Sequence, residues 1–185
     1  YLISQATKKI KLEKAEDIVI YHRGYQADLI QEKAKRNLEI LLADIAMYGE
    51  NPLYYAYLCD AYFILEKYVD VIKYAKLHLL KGEKSLTGES RVYQNYIAAL
   101  EKLAMPIEQI LVVCNQAIDS FPDLPDFYAF RAEQLLKVKC YAEVIRDLDM
   151  AIACDEKQNT GFHSSSFSAN FVAVYTMYTK AYQGL

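Results

Sequence analysis

"KYVDVIKYAKL" at residues 67–77 and "CYAEVIRDLDM" at residues 140–150 are two versions of one pattern. Each carries a Tyr at its second place (Tyr68, Tyr141), an acid two residues on (Asp70, Glu143), a Val-Ile pair, and then a base (Lys73, Arg146). The two tyrosines stand 73 residues apart. That interval is too long for one helical hairpin and suits two, so the spacing predicts a stack of helix pairs, a solenoid, rather than a closed bundle.

The surrounding residues define the slots of each pair. Tyr55, Leu58, Cys59 and Tyr62 form a first-helix stripe, and Val71, Ala75 and His78 fill the slots of the second helix. Seventy-three residues later the same slots hold Tyr128, Arg131, Ala132, Leu135, Val144, Leu148 and Ala151. Between them lies a weaker copy with Ile97, Ala98, Ile110, Cys114, Ala117 and Pro122. Cys59, Ala98 and Ala132 are expected at the crossing of each pair, because a small side chain lets two helix axes approach closely. This pattern resembles the tetratricopeptide repeat over about residues 51–156, although the first-helix Leu-Gly pair of that family is never complete.

Punctuation supports the division. Asn51-Pro52 reads as an N-cap followed by proline in the first turn, and Pro106 opens the second helix of the middle copy. "FPDLPD" (121–126) separates the last two copies, while "KGEKSLTG" (81–88) and "KQNTGFHSSSFS" (157–168) read as polar loops. Residues 27–48 read as an earlier amphipathic helix with Leu38, Leu41, Leu42 and Ile45 on one face. Residues 169–183 read as a final helix with Phe171, Val174, Tyr175, Tyr178 and Tyr182 facing inward. The fold class expected is all-α: a tetratricopeptide-like superhelix over residues 27–185, with repeats at about 52–84, 91–122 and 125–156.

Composition narrows the function. A net charge of −3 without a basic stripe argues against nucleic acid, and no apolar run reaches the ~18 residues of a membrane span. Cys59, Cys114, Cys140 and Cys154 form no paired metal-ligand spacing. They read as buried, reduced thiols of a cytoplasmic protein.

One stretch stands outside the repeats. "DIVIYHRGY" (17–25) is β-branched and aromatic and ends near a Gly, as a short buried strand does. The longer run "IYHRGYQADLIQEKAKRNLEILL" (20–42) resembles the junction in bacterial family 2 glycosyltransferases that carry a C-terminal tetratricopeptide region. His22, Gly24 and Tyr25 match its His-x-Gly-Tyr-like element, and Arg36, Asn37, Leu38, Leu41 and Leu42 match the helix that follows. The resemblance implies that residues 1–26 are the tail of a preceding GT-A-type catalytic domain or a linker. It implies a nucleotide sugar and a divalent metal for the parent enzyme, with no catalytic, cofactor or metal residue in this fragment. His22 could be a metal ligand in that parent, but a single His without partners is more simply a residue packed at a domain junction. Asp147-Leu148-Asp149 spells the family's metal-binding motif, but it falls in a helix. Side chains two apart there point about 200° away from each other, so both Asp are expected to face solvent as a coincidence. His78 is expected to be a partly exposed packing residue, and His163 lies in a polar loop.

The repeat phase directs Asp60, Phe63, Asn95, Lys102, Glu133, Leu136 and Lys137 into the concave groove. Solenoids use this face for a peptide or protein partner, although such residues also form an ordinary solvated surface. Ala56 and Asp60 occupy two positions where arrays that bind chaperone tails carry a Lys/Asn clamp, so a chaperone C-terminus is a poor fit. The sequence therefore points to a non-catalytic helical-repeat region that positions an acceptor or partner or mediates self-association. A free-standing tetratricopeptide adaptor is the alternative.

Overall fold

The structure, a computed structural model, describes residues 27–81, 86–158 and 171–185. These form helices α1 (Ala27–Tyr48), α2 (Tyr54–Ile64), α3 (Tyr68–Lys81), α4 (Leu86–Lys102), α5 (Ile107–Ser120), α6 (Pro125–Lys137), α7 (Tyr141–Gln158) and α8 (Phe171–Gly184). There is no strand among the described residues. Helices α2/α3, α4/α5 and α6/α7 are hairpins. Each helix packs on its chain neighbour, and α2 also meets α4 and α6 meets α8, so the first helices of successive hairpins run side by side. The stretch 17–25, with His22, lies outside the described residues, as does His163.

The hairpins share one turn. Lys67 N–H donates to the Tyr62 carbonyl at 2.9 Å, Met105 to Leu100 at 2.9 Å and Cys140 to Leu135 at 3.0 Å. In each turn the residue before the donor is left-handed: Glu66 (φ 56°), Ala104 (φ 49°) and Lys139 (φ 61°). Such a residue lets the chain reverse and gives the last carbonyls of the first helix a partner.

These turns fix the repeat register and correct it in the middle copy. Counting back from them aligns Tyr55, Tyr93 and Tyr128, and then Cys59, Ile97 and Ala132. The fully buried residue at the middle crossing is thus Ile97, and Ala98 is half-buried. The displacement comes from one extra turn residue. Val71 and Val144 start their helices by donating to Lys67 and Cys140, the residues just after the left-handed ones, whereas Ile110 donates to Pro106, one further on.

A single core runs the length of the stack, from Leu38 on α1 through Leu58, Val71, Ile97, Cys114, Phe127 and Leu148 to Val174 and Ala181 on α8. Each large aliphatic or aromatic side chain removed from water there contributes about 1.5–3 kcal/mol. Stacked and edge-on rings fill the grooves between helices: Tyr62 on Tyr74 at 5.4 Å, and Tyr93, Phe121 and Phe127 in mutual contact at 6.0–6.2 Å.

Several expectations change. His78 is buried rather than partly exposed, with no hydrogen-bond partner for Nδ1 among the described residues. Leu42 is exposed, although Leu38 is buried and Leu41 and Ile45 are half-buried. Helix α4 begins at Leu86, inside the stretch read as a loop. Cys59, Cys114 and Cys154 are buried as expected, but Cys140, at a turn, is half-buried. On α8 the inward residues are Val174, Met177, Tyr178 and Ala181, while Tyr175 and Tyr182 are exposed. Periodicity assigns an apolar face but cannot say whether a helix lies against it.

Candidate functional site: the inner face of the first helices

Polar side chains stitch α2, α4 and α6 together along their shared face. Asn95 Nδ2 donates to Asp60 Oδ1 at 2.7 Å, and Arg91 Nη1 reaches Asp60 Oδ2 at 3.2 Å. Two of the sequence-derived groove residues, Asp60 and Asn95, are therefore joined across α2 and α4. Partial burial raises the Asp60 carboxyl pKa, opposed by the Arg91 charge and by hydrogen bonds from Arg91 and Asn95.

A second node joins α4 to α6. Lys137 Nζ donates to Glu101 Oε1 at 2.8 Å and to Gln134 Oε1 at 3.0 Å, and lies 3.8 Å from Glu133 Oε1. Gln134 also donates to Glu101. Glu133 and Lys137 are thus brought together, while Lys102 is exposed at the end of α4. Phe63 and Leu136, on α2 and α6, are half-buried, Phe63 edge-on to Tyr68 at 6.1 Å.

Arg91, Glu101 and Gln134 belong to this face but were not read from the sequence. Glu101 was missed because of the one-residue shift: in the structural register it shares its slot with Phe63 and Leu136. Gln134 carries no signal in the sequence, because an amide inside an apolar stripe reads as solvated until its partner is known.

Toward the N-terminal end the groove opens into a cavity of about 870 Å³ between α1 and α2. Its walls are Ile30, Ile40, Leu41, Tyr54, Tyr57 and Ile64, with Asp60 and Arg91 on the rim.

The Asp147-Leu148-Asp149 triplet is used for packing, with one correction. Asp147 does not face solvent. It is buried and takes two hydrogen bonds from Arg131, at 2.6 and 2.7 Å. Asp149 instead accepts from Tyr178 Oη at 2.6 Å. The two carboxylates diverge, as the helical geometry requires. Among the described residues no group of three or more His, Cys, Asp or Glu is placed to hold a metal ion, and no helix is long and apolar enough to cross a membrane.

No protein-family model matches the chain, and no curated protein matches it. Solved structures do. The TPR2B domain of yeast Sti1, determined as a pHsp70 complex, is 23% identical with a TM-score of 0.53, over 85% of this chain and 99% of that one. MamA MSR-1 C2 is 15% identical with a TM-score of 0.56, over 75% of this chain and 82% of that one. Taken with the shared turns and the continuous core, these likenesses establish the fold as an all-α, tetratricopeptide-like superhelix.

Proposed function

We propose that this chain is a non-catalytic scaffold whose concave face holds a peptide segment of a protein partner. The observation that carries this reading is the inner face itself: the first helices carry two polar nodes, Asp60/Arg91/Asn95 and Glu101/Gln134/Lys137, together with the half-buried apolar side chains Phe63 and Leu136. Apolar anchors between fixed hydrogen-bonding groups are what a peptide groove needs, the first for affinity and the second for register. The Sti1 TPR2B structure, named for a pHsp70 complex, lends the general mode. Asp60 and Ala56 at the clamp positions argue for an internal peptide rather than a terminal carboxylate. Selection from a random peptide library, followed by fluorescence anisotropy, tests this. Binding should survive C-terminal amidation and fall at least tenfold in Phe63→Glu. Dependence on a free C-terminal carboxylate overturns the internal-peptide reading, and failure to select any peptide overturns the groove reading.

We further propose, on the resemblance of residues 20–42, that the scaffold follows a family 2, GT-A-type glycosyltransferase domain in a cytoplasmic protein and positions its acceptor. The nucleotide sugar and divalent metal belong to that domain. Incubation of this chain with nucleotide sugars and divalent metals should give no turnover. Micromolar, saturable donor binding overturns the assignment. The coding sequence upstream of Tyr1 separates this reading from a free-standing adaptor: an α/β nucleotide-sugar domain with an Asp-x-Asp loop supports the first, and a start codon near Tyr1 the second.

A further inference from the structure

The last hairpin departs from the repeat at three positions that lie together. The turn register puts Arg131, Arg146 and Asp147 in the places that Tyr96, Val112 and Val113 hold one hairpin earlier. Tyr96 and Val113 belong to the apolar core. In the last hairpin the corresponding groups are a guanidinium and a carboxylate, and the Asp147 side chain is only 4% exposed. A charge pair taken out of water in this way typically gains little stability over apolar residues of the same shape. The polar set therefore calls for a reason other than stability.

Around the pair lies a groove of about 280 Å³ between α5 and α7, both of which pack on α6. Leu111 of α5 and Leu135 of α6 supply its apolar part. Arg131 Nη1 donates to Asn115 Oδ1 at 2.7 Å, which orients that amide and leaves its Nδ2 group as a donor for another partner. Asp147 is already engaged, by two hydrogen bonds from Arg131. Arg146 and Glu143, one turn apart on α7, also line the groove. Both are exposed, and neither makes a hydrogen bond or ion pair with another described residue. With Arg131 and Asp147 cancelling, the groove presents one unengaged cation beside an amide donor, one unengaged carboxylate, and two leucine side chains.

We propose that this groove binds a small zwitterion with an aliphatic side chain, a free α-amino acid such as leucine. The ligand carboxylate takes hydrogen bonds from the Arg146 guanidinium and Asn115 Nδ2, the planar fork of Arg suiting a carboxylate. The ligand ammonium donates to Glu143, and the aliphatic side chain lies against Leu111 and Leu135. A simple anion would meet Glu143 as a like charge, and a simple cation would meet Arg146. A ligand carrying both charges satisfies both residues. The volume stands at the lower end of the roughly 300–1,000 Å³ of small-molecule sites, which suits a ligand the size of an amino acid. Arg131 and Asp147 are positioning residues here: their bidentate pair holds the Asn115 amide in its orientation. The groove shares no residue with the inner face of the first helices, so this inference does not depend on what that face binds.

Titration of the isotope-labelled 185-residue chain with L-leucine, followed by NMR, tests it. Saturable shifts are expected at the Asn115 side-chain amide and the Arg146 guanidinium, with a Kd of about 0.1–1 mM, within the efficiency that small ligands reach. 4-Methylpentanoate, which lacks the ammonium, and 3-methylbutylamine, which lacks the carboxylate, should each bind at least about tenfold more weakly. Arg146→Ala should weaken leucine by a similar factor and leave 3-methylbutylamine unchanged. Glu143→Gln should erase the preference for leucine over 4-methylpentanoate. Both residues are exposed, and thermal melts of the two variants followed by circular dichroism should match the parent. Absence of saturable shifts with L-leucine, L-isoleucine, L-valine and L-methionine overturns the proposal. So does equal binding of 4-methylpentanoate, which would mark a plain anion site, or leucine binding that Arg146→Ala leaves unchanged.

Discussion

Arg131 on α6 grips Asp147 on α7 with two parallel hydrogen bonds, Nε to Oδ2 at 2.7 Å and Nη2 to Oδ1 at 2.6 Å. Arg131 Nη1 also donates to Asn115 of α5 at 2.7 Å, so one guanidinium ties three helices together. The carboxylate raises the guanidinium pKa further above its already high ordinary value. Removing one partner of a buried, bidentate pair leaves the other charge desolvated, which typically costs about 3–5 kcal/mol. Asp147→Ala should therefore lower the melting temperature by about 6–20 °C in a chain of this size. Loss of less than 1 °C would show that Arg131 swings to water without penalty.

The three left-handed turn residues make a second prediction. An L-residue in this conformation is strained, and glycine is not. Ala104→Gly should raise stability by about 0.5–1 kcal/mol despite the added freedom of the unfolded chain, because relief of strain outweighs that entropy at a left-handed site. Chemical denaturation reads this directly. A lower midpoint would mean that the turn is not left-handed in solution.

Crossings set the third. Cys59 is fully buried where α2 meets α3, with its Sγ 3.9 Å from the Val71 carbonyl. Cys59→Leu adds bulk there, and overpacking costs about 1–3 kcal/mol. The middle crossing already accommodates Ile97, so Ile97→Ala should instead open a cavity and lose about 2–5 kcal/mol. An unchanged midpoint in both variants would overturn the register assigned from the turns.

His78 supplies the pH dependence. Burial lowers its pKa below the ordinary value near 6.5, partly opposed by Glu89. The unfolded chain then binds a proton that the folded chain resists. The neutral His78 contribution is fully present above about pH 6.5 and is lost as pH falls through the lowered folded value. Melting temperature should decline between pH 7 and pH 5 more steeply in the parent chain than in His78→Leu. Parallel curves would remove His78 as the cause.

Thiol accessibility follows from burial. Desolvation pushes the Cys59 and Cys114 thiols up to about 12, leaving roughly one thiolate in ten thousand at pH 8. Cys140 is only half-buried. Peptide mapping after brief alkylation at pH 8 should find Cys140 modified first and Cys59 and Cys114 only after unfolding. Early labelling of Cys59 would mean that the α2–α3 hairpin opens readily.

The sequence by itself determined the class of fold and most of the core. Tyr55, Leu58, Cys59, Val71, Ala75, Ala132, Val144 and Leu148 all fell in slots that the structure buries, because a helix writes its apolar face into residue order at a fixed period. It also placed Asp60 and Asn95 on a common face, with no sign that they touch. Tertiary structure decided what depends on contacts between distant parts of the chain. The phase of the middle hairpin turned on one extra residue at Met105-Pro106, invisible until the turn hydrogen bonds were formed. Asp147 looked like a solvated group because its partner, Arg131, lies 16 residues away in the chain, and Gln134 gave no signal because its partner, Glu101, lies 33 residues away. Tyr175 and Tyr182 looked like core because an apolar residue at helical spacing declares that it can be buried, and only the placement of neighbouring helices decides whether it is.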